Sequence, residues 1–158
     1  MKPLRCAVIG VGYLGKFHAQ KYAQLPGCEL VAVADSRLDV AQAVAQPLGC
    51  RAVADYHELL GQVDAVSVVV PTQAHHAVTL DFLRAGAHVL VEKPIAVTLE
   101  QADEMIAIAE QRGLTLAVGH LERFNPVALA LEPLLQRPRF IESTRLAPFK
   151  PRATDVSV

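Results

Sequence analysis

Three groups of residues in this sequence have types and spacings suited to chemistry. The first is Gly10-Val11-Gly12-Tyr13-Leu14-Gly15, with Asp35 following 20 positions after Gly15. A G-x-G-x-x-G run between a strand and a helix can cradle a pyrophosphate. Gly10 permits the tight turn, Gly12 lets a phosphate approach the backbone, and Gly15 lets the helix pack on the strand. The N–H groups near Tyr13 and Leu14 then face the phosphates, with the positive end of the helix dipole behind them. A carboxylate at Asp35 can accept from both hydroxyls of an adenosine ribose and repels a 2′-phosphate, which favours NAD over NADP. Arg37 pulls the other way, because a guanidinium can pair with a 2′-phosphate or stack on adenine. NADP therefore stays open as the alternative cofactor.

The second group is Glu92-Lys93-Pro94, at the end of the apolar run 87–91. Ligands of open α/β folds bind at the carboxyl ends of the strands. A lysine there can donate to a substrate hydroxyl or carbonyl. The plain alternative is a charged strand end before a loop-starting proline. The third group is the histidines. His75 and His76 are neighbours, so on a helix they point about 100° apart and do not share a metal; no metal site is expected. His18 and His57 read as partly exposed helix positions. His120 ends the sixth apolar run and either borders a substrate pocket or acts as a hinge. Arg123 either binds an acidic substrate group or pairs with a helix carboxylate.

The elements that must position these groups follow from the apolar pattern. Strands are predicted at 4–9, 29–34, 52–53, 64–70, 87–91 and 115–119, with helices at 13–25, 37–48, 56–61, 74–85 and 98–112. Gly27, Gly49, Gly86 and Gly113 fall where helices should stop, and Thr98 before Glu100 and Gln101 reads as an N-cap. Strands separated by single helices cannot form hairpins and must pair in parallel through right-handed crossovers. Their near-continuous apolar character suits a sheet covered on both faces. The fold class is α/β, a doubly wound parallel sheet of the Rossmann kind over residues 1–120. Residues 121–158 read as the start of an incomplete α+β second domain for substrate binding or oligomerisation. It would have a helix at 122–136, interrupted by Pro126 and Pro133, and an alternating strand at 139–147. One strand is not a sheet, so either the natural protein continues or another chain supplies the partners.

Composition narrows the classes further. The 158 residues are 52% hydrophobic, 20% charged and 5% aromatic, with a formal net charge of −1. That supports a sizeable core and, without a basic stripe, argues against nucleic acid or an anionic membrane as partner. Cys6, Cys28 and Cys50 stand apart without a C-x-x-C pair, as in a reducing compartment. The first residues lack a signal peptide's regions, and no apolar stretch approaches the roughly 20 residues that span a bilayer. A cytoplasmic setting is the expectation. A P-loop or flavin protein is excluded for want of G-K-[ST] and because Asp35 suits a ribose.

The segments GVGYLGKFHAQ, VAVAD, VPTQAHHAVTLDFLRAGAHVLVEKPIA and VGHLERFNP together resemble the glucose–fructose oxidoreductase, inositol dehydrogenase and rhizopine-catabolism (Gfo/Idh/MocA) family, across essentially the whole chain. The P-T-x-x-H step is Pro71, Thr72 and His75, Gly86 follows eleven residues after His75, and E-K-P comes at family spacing. The resemblance implies an NAD-dependent oxidoreductase moving hydride between nicotinamide and a secondary alcohol of a sugar or sugar nucleotide. It implies that Lys93 contacts substrate and nicotinamide, that Glu92 holds the nicotinamide ribose, and that Pro71, Thr72 and His75 belong to the cofactor groove. A cis Lys93–Pro94 peptide and a homo-oligomer are implied too. The segment His120–Pro126 is similar to members acting on UDP-linked amino sugars. The family's acid/base pair, an Asp and a His in a D-x-x-x-H or D-x-G-x-H segment, has no counterpart here. Cofactor binding with little or no turnover is therefore expected of this chain, the alternative being a non-catalytic dinucleotide-binding or oligomerising module.

Overall fold

Strand β1 (Leu4–Ile9) lies inside a six-stranded sheet with β2 (Cys28–Ala34), β3 (Arg51–Val53), β4 (Ala65–Val68), β5 (His88–Val91) and β6 (Leu116–Val118). The order is β3-β2-β1-β4-β5-β6 and every pairing is parallel. Helices α1 (Gly15–Gln24), α2 (Leu38–Leu48), α3 (Thr72–Arg84) and α4 (Leu99–Gln111) connect the strands. The computed structural model describes residues 2–135, 137–144 and 146. The sheet is thus the doubly wound parallel sheet expected. Its order reverses between β1 and β4, and a crevice opens at the carboxyl ends there.

Alternation along the strands sorts the core into two layers. Ala7, Ile9, Val66 and Val68 pack with Phe82, Leu83 and Met105 on one face. Val8 and Val33 pack with Ala19, Ala41 and Ala45 on the other. Small alanines on α1 and α2 let those helices approach the sheet closely. Phe82 and Leu83 are fully buried, each worth about 1.5–3 kcal/mol of burial.

Several boundaries move for identifiable reasons. The run predicted as strand 64–70 stops at Val68: the N–H of Val69 still donates to the carbonyl of Ile9 at 2.8 Å, and Val69 and Val70 then line the crevice. Helix α3 begins at Thr72, two residues before its predicted start, since Pro71 with φ −55° already sets the entry to a helix. Residues 56–61, read as helix, shorten to a 3-10 helix over Tyr56–Leu59 capped by Asp55. Thr98 caps α4 as expected, its hydroxyl accepting from the N–H of Gln101 at 3.3 Å.

A first unit ends at Gly119 and a second begins at His120. The helix expected at 122–136 is three pieces: a 3-10 helix at Leu121–Phe124, α5 (Pro126–Leu131) and a 3-10 helix at Glu132–Leu134. Pro126 has no N–H to continue the first piece and instead starts the second, where Asn125 accepts from the N–H of Val127 at 2.9 Å. The strand expected at 139–147 is not formed: residues 139–144 and 146 carry no strand, and 145 and 147 lie outside the described residues. Alternation alone, without a neighbour to take up the backbone groups, does not make a strand. Among the described residues no helix is long and apolar enough to cross a membrane.

Candidate functional site

The glycine turn closes on itself and on β4. Gly10 has φ +83°, and a Cβ there would sit 2.7 Å from the carbonyl oxygen of Val69. A Cβ on Gly15 would lie 1.9 Å from the carbonyl oxygen of Gly10. Neither position tolerates a side chain without moving backbone. A Cβ on Gly12 meets nothing within 4 Å. The three glycines therefore divide as their spacing suggests: two are demanded by the fold, and one faces open space where a ligand can approach. Helix α1 starts behind that space with no side-chain cap and no acidic residue in its first turn. The amides of Lys16 and Phe17 already donate to the carbonyls of Gly12 and Leu14, at 3.3 and 3.0 Å, while those of Tyr13 and Leu14 remain open to an anion.

Asp35 ends β2 beside this turn. Its Oδ2 accepts from the N–H of Val11 at 3.0 Å and its Oδ1 from the N–H of Arg37 at 3.1 Å. The carboxylate is fixed by two backbone donors, and its remaining lone pairs are available to hydroxyls. Asp35 and Arg37 share a cavity of about 630 Å³ with Gly10, Gly12, Tyr56 and Pro71. Asp55, at the cavity wall, is held below the usual carboxylate range, first by the N–H of His57 and then by its ring. The Tyr56 hydroxyl donates to Asp81 at 2.8 Å. Burial, then that bond, push the phenol up to about 12, so Tyr56 stays a neutral donor and its ring a fixed wall.

Glu92, Lys93 and Pro94 leave the end of β5. Lys93 is exposed, forms no ion pair among the described residues, and joins Pro94 through a cis peptide. Glu92 is buried at 5% exposure, with Oε2 accepting from the N–H of Lys93 at 3.2 Å. Gly119, just past β6, leaves it room: a Cβ there would meet Oε1 of Glu92 at 2.5 Å.

The remaining candidates divide. Pro71 lines the cavity, while Thr72 is buried behind it. His75 is 1% exposed and does not line the cavity. Its Nδ1 lies 2.9 Å from the carbonyl oxygen of Pro94 and its Nε2 2.9 Å from that of Val70, so it ties the E-K-P turn to α3 from beneath. His76 diverges from it as expected, toward Glu104. Tyr13 is exposed, edge-on to Phe17. His120 does not end the sixth strand: β6 stops at Val118, and His120 opens the second unit, where its carbonyl accepts from the N–H of Arg123 at 3.0 Å. Arg123 forms no ion pair among the described residues. His18 is the partly exposed helix histidine expected, on α1, and its ring reaches toward Ser67 and Glu92. Its position three residues past Gly15 on the inner face of α1 was the available signal.

Comparison with known proteins follows this geometry closely. Residues 4–120 match the sequence model of the GFO_IDH_MocA oxidoreductase family, NAD-binding Rossmann fold. A UDP-N-acetylglucosamine 3-dehydrogenase of Acidithiobacillus ferrooxidans is 46% identical over 98% of this chain and 49% of its own length. A crystal form of that dehydrogenase superposes with a TM-score of 0.89, covering 96% of this chain and 50% of that one. The scyllo-inositol dehydrogenase of Lactobacillus casei, solved with bound NAD(H) and scyllo-inositol, gives a TM-score of 0.77 at 26% identity, covering 84% of this chain and 42% of its own. The chain spans about half the length of the relatives it matches.

Proposed function

This chain belongs to the Gfo/Idh/MocA oxidoreductase family, as its NAD-binding Rossmann domain, and on that premise we propose that it is the cofactor half of a sugar-nucleotide dehydrogenase. The observation that carries the reading is the open space over Gly12 beside a carboxylate already oriented by Val11 and Arg37. Those features fit a dinucleotide: phosphates over the uncapped start of α1, and ribose hydroxyls on Asp35. Pro71 and the Tyr56 ring would flank the adenosine end, and Glu92 and Lys93 the nicotinamide end. When bound, NAD supplies the hydride acceptor or donor at C4 of its nicotinamide. Lys93, exposed and without an ion-pair partner among the described residues, would hold the substrate oxygen and polarise it. The similarity of His120–Pro126 to members acting on UDP-linked amino sugars, and the identity to a UDP-N-acetylglucosamine 3-dehydrogenase, support a sugar nucleotide as substrate. Residues 121–158 would begin the substrate and oligomerisation domain, which the exposed Phe124, Leu134 and Phe140 support.

In the 158 residues alone, no D-x-x-x-H segment is available to move the hydroxyl proton. The chain by itself should bind dinucleotide and turn over little. The three free cysteines suit a cytoplasmic setting. Thermal melts with NAD and with NADP, repeated on Asp35→Ala, test the reading. A ligand bound only by the folded form raises the melting temperature. NAD should do so more than NADP at equal concentration, and Asp35→Ala should lose most of the NAD response. No response to either dinucleotide would sink the proposal, and rapid sugar-nucleotide oxidation by the chain alone would sink the claim of low turnover.

A further inference from the structure

Behind the E-K-P turn lies a line of polar side chains that the cofactor site described above does not use. The Tyr22 hydroxyl is 2.7 Å from Oγ of Ser67, and Ser67 Oγ is 3.1 Å from Nδ1 of His18. The other ring nitrogen of His18, Nε2, stands 3.2 Å from Oε1 of Glu92. Ser67 is fully buried, and the side chains of His18 and Glu92 are only 12% and 7% exposed. Oε1 of Glu92 is buried with no well-aligned hydrogen bond, so the His18 ring is close enough for an ion pair but short of good hydrogen-bond geometry.

Donor and acceptor roles then follow by elimination. A carboxylate only accepts. A lone pair on Nε2 facing Oε1 at this distance would be repulsive, so Nε2 carries the proton. In neutral His18 the Nδ1 atom must accept, and among the described residues the group on it is the Ser67 hydroxyl. Ser67, donating its hydroxyl hydrogen bond to Nδ1 of His18, accepts from the Tyr22 hydroxyl. Burial is the main cause holding the Tyr22 phenol above its ordinary value, which keeps it a donor. Every group in the line then points the same way, toward Glu92.

We infer that His18, oriented by Ser67 and Tyr22, is a positioning residue for the nicotinamide end of the site: it presents Nε2–H to Glu92 and fixes the carboxylate that holds the Lys93 amide. The inference rests on the dinucleotide reading for its consequence, while the line of side chains from Tyr22 to Glu92 stands by itself. Glu92 has few other places to go. Gly119 provides the space it fills, and its second oxygen is engaged by the N–H of Lys93. Releasing Oε1 from His18 lets the carboxylate rotate and takes the Lys93 backbone with it.

The imidazole nitrogens of the 158-residue chain, observed by 15N NMR at one pH where His18 is neutral, test the line directly. The expected result is a protonated Nε2 and an accepting Nδ1, with the Nδ1 signal moved by Ser67→Ala and the Nε2 signal by Glu92→Gln. A His18 ring protonated at Nδ1 instead, or indifferent to both substitutions, overturns the inference. NADH affinity tests the consequence. His18→Phe, which keeps the ring volume and loses the donor, should weaken binding about 10-fold, the scale of a lost hydrogen bond to a charged group. His18→Gln, which restores a donor at the Nε2 position, should recover most of that. Equal weakening by Phe and Gln would make His18 a packing residue only. If His18→Phe fails to fold, the Ser67→Ala and Glu92→Gln spectra still decide. If the wild-type chain binds no NADH, the dinucleotide reading falls, and the NMR result remains separately interpretable.

Discussion

Replacing Gly12 and Gly15 by alanine should separate what the fold needs from what the ligand needs. At Gly15 the new methyl carbon would start 1.9 Å from the carbonyl oxygen of Gly10. Comfortable contact begins near ~3.5 Å, so one of the two must retreat by about 1.5 Å. Gly10 is poorly placed to retreat, because its N–H donates to Ala34 at 2.8 Å and it lies tight against Val69. Overpacking of this kind costs ~1–3 kcal/mol, and a backbone obstacle puts Gly15→Ala at about 3 kcal/mol. For a unit of this size each kcal/mol moves the melting point by roughly 3–5 °C, so a fall of about 10 °C is expected. At Gly12 the methyl meets nothing, and its φ is not positive. Gly12→Ala should therefore leave the apo melting point unchanged, or raise it slightly through a stiffer unfolded chain. NAD at ~100 times Kd stabilises the native form by ~2.7 kcal/mol. That shift should be visible in the wild type and largely absent in Gly12→Ala. Differential scanning calorimetry with and without NAD reads both quantities. A Gly12→Ala protein melting as low as Gly15→Ala would refute the steric assignment, and an undiminished NAD shift in Gly12→Ala would refute the placement of the phosphates.

Two further predictions concern residues around the site. Tyr56→Phe removes the hydroxyl that donates to Asp81 but keeps the ring at the cavity wall. It should cost about 1 kcal/mol of stability while changing NAD affinity less than about 3-fold; a large affinity loss would show that the hydroxyl, not the ring, meets the ligand. Arg5, through its guanidinium and then its backbone N–H, lowers the Asp64 carboxyl from 3.8 to about 2. The unfolded chain takes up that proton first, so the stabilisation is present above pH ~4 and is lost as pH falls toward 2. Acid unfolding of Asp64→Asn should therefore be shallower than wild type across that window, and parallel curves would contradict the assignment.

The parts of the site that were legible in the sequence are those set by local pattern. Gly10–Gly15 after an apolar run, Asp35 at the end of the next, and Lys93 at the end of the fifth could be placed because a parallel sheet brings its strand ends to one edge. What escaped was contact between distant segments. His18 meets Ser67 across 49 positions and Tyr56 meets Asp81 across 25, and no periodicity encodes such pairs. His75 carried the right spacing for the cofactor groove, yet its ring is spent on the carbonyls of Val70 and Pro94, a role visible only once the turn is folded over it. In the second unit the alternation at 139–147 suggested a strand, but the decision to form one belongs to a neighbouring strand rather than to the segment itself.

The attachment of Asp35 to Val11 has a bearing on how cofactor preference can change. The carboxylate proposed to discriminate NAD from NADP is also the acceptor that holds the second residue of the phosphate turn. Selectivity and scaffold are written in the same two oxygen atoms. A lineage drifting toward NADP by losing this charge would loosen the turn in the same step, before any gain from Arg37. Viable routes would first acquire another acceptor for the Val11 amide, or pass through Asp35→Asn, whose amide oxygen can still accept from it. Cofactor switching in this protein should accordingly be contingent on the order in which substitutions arrive.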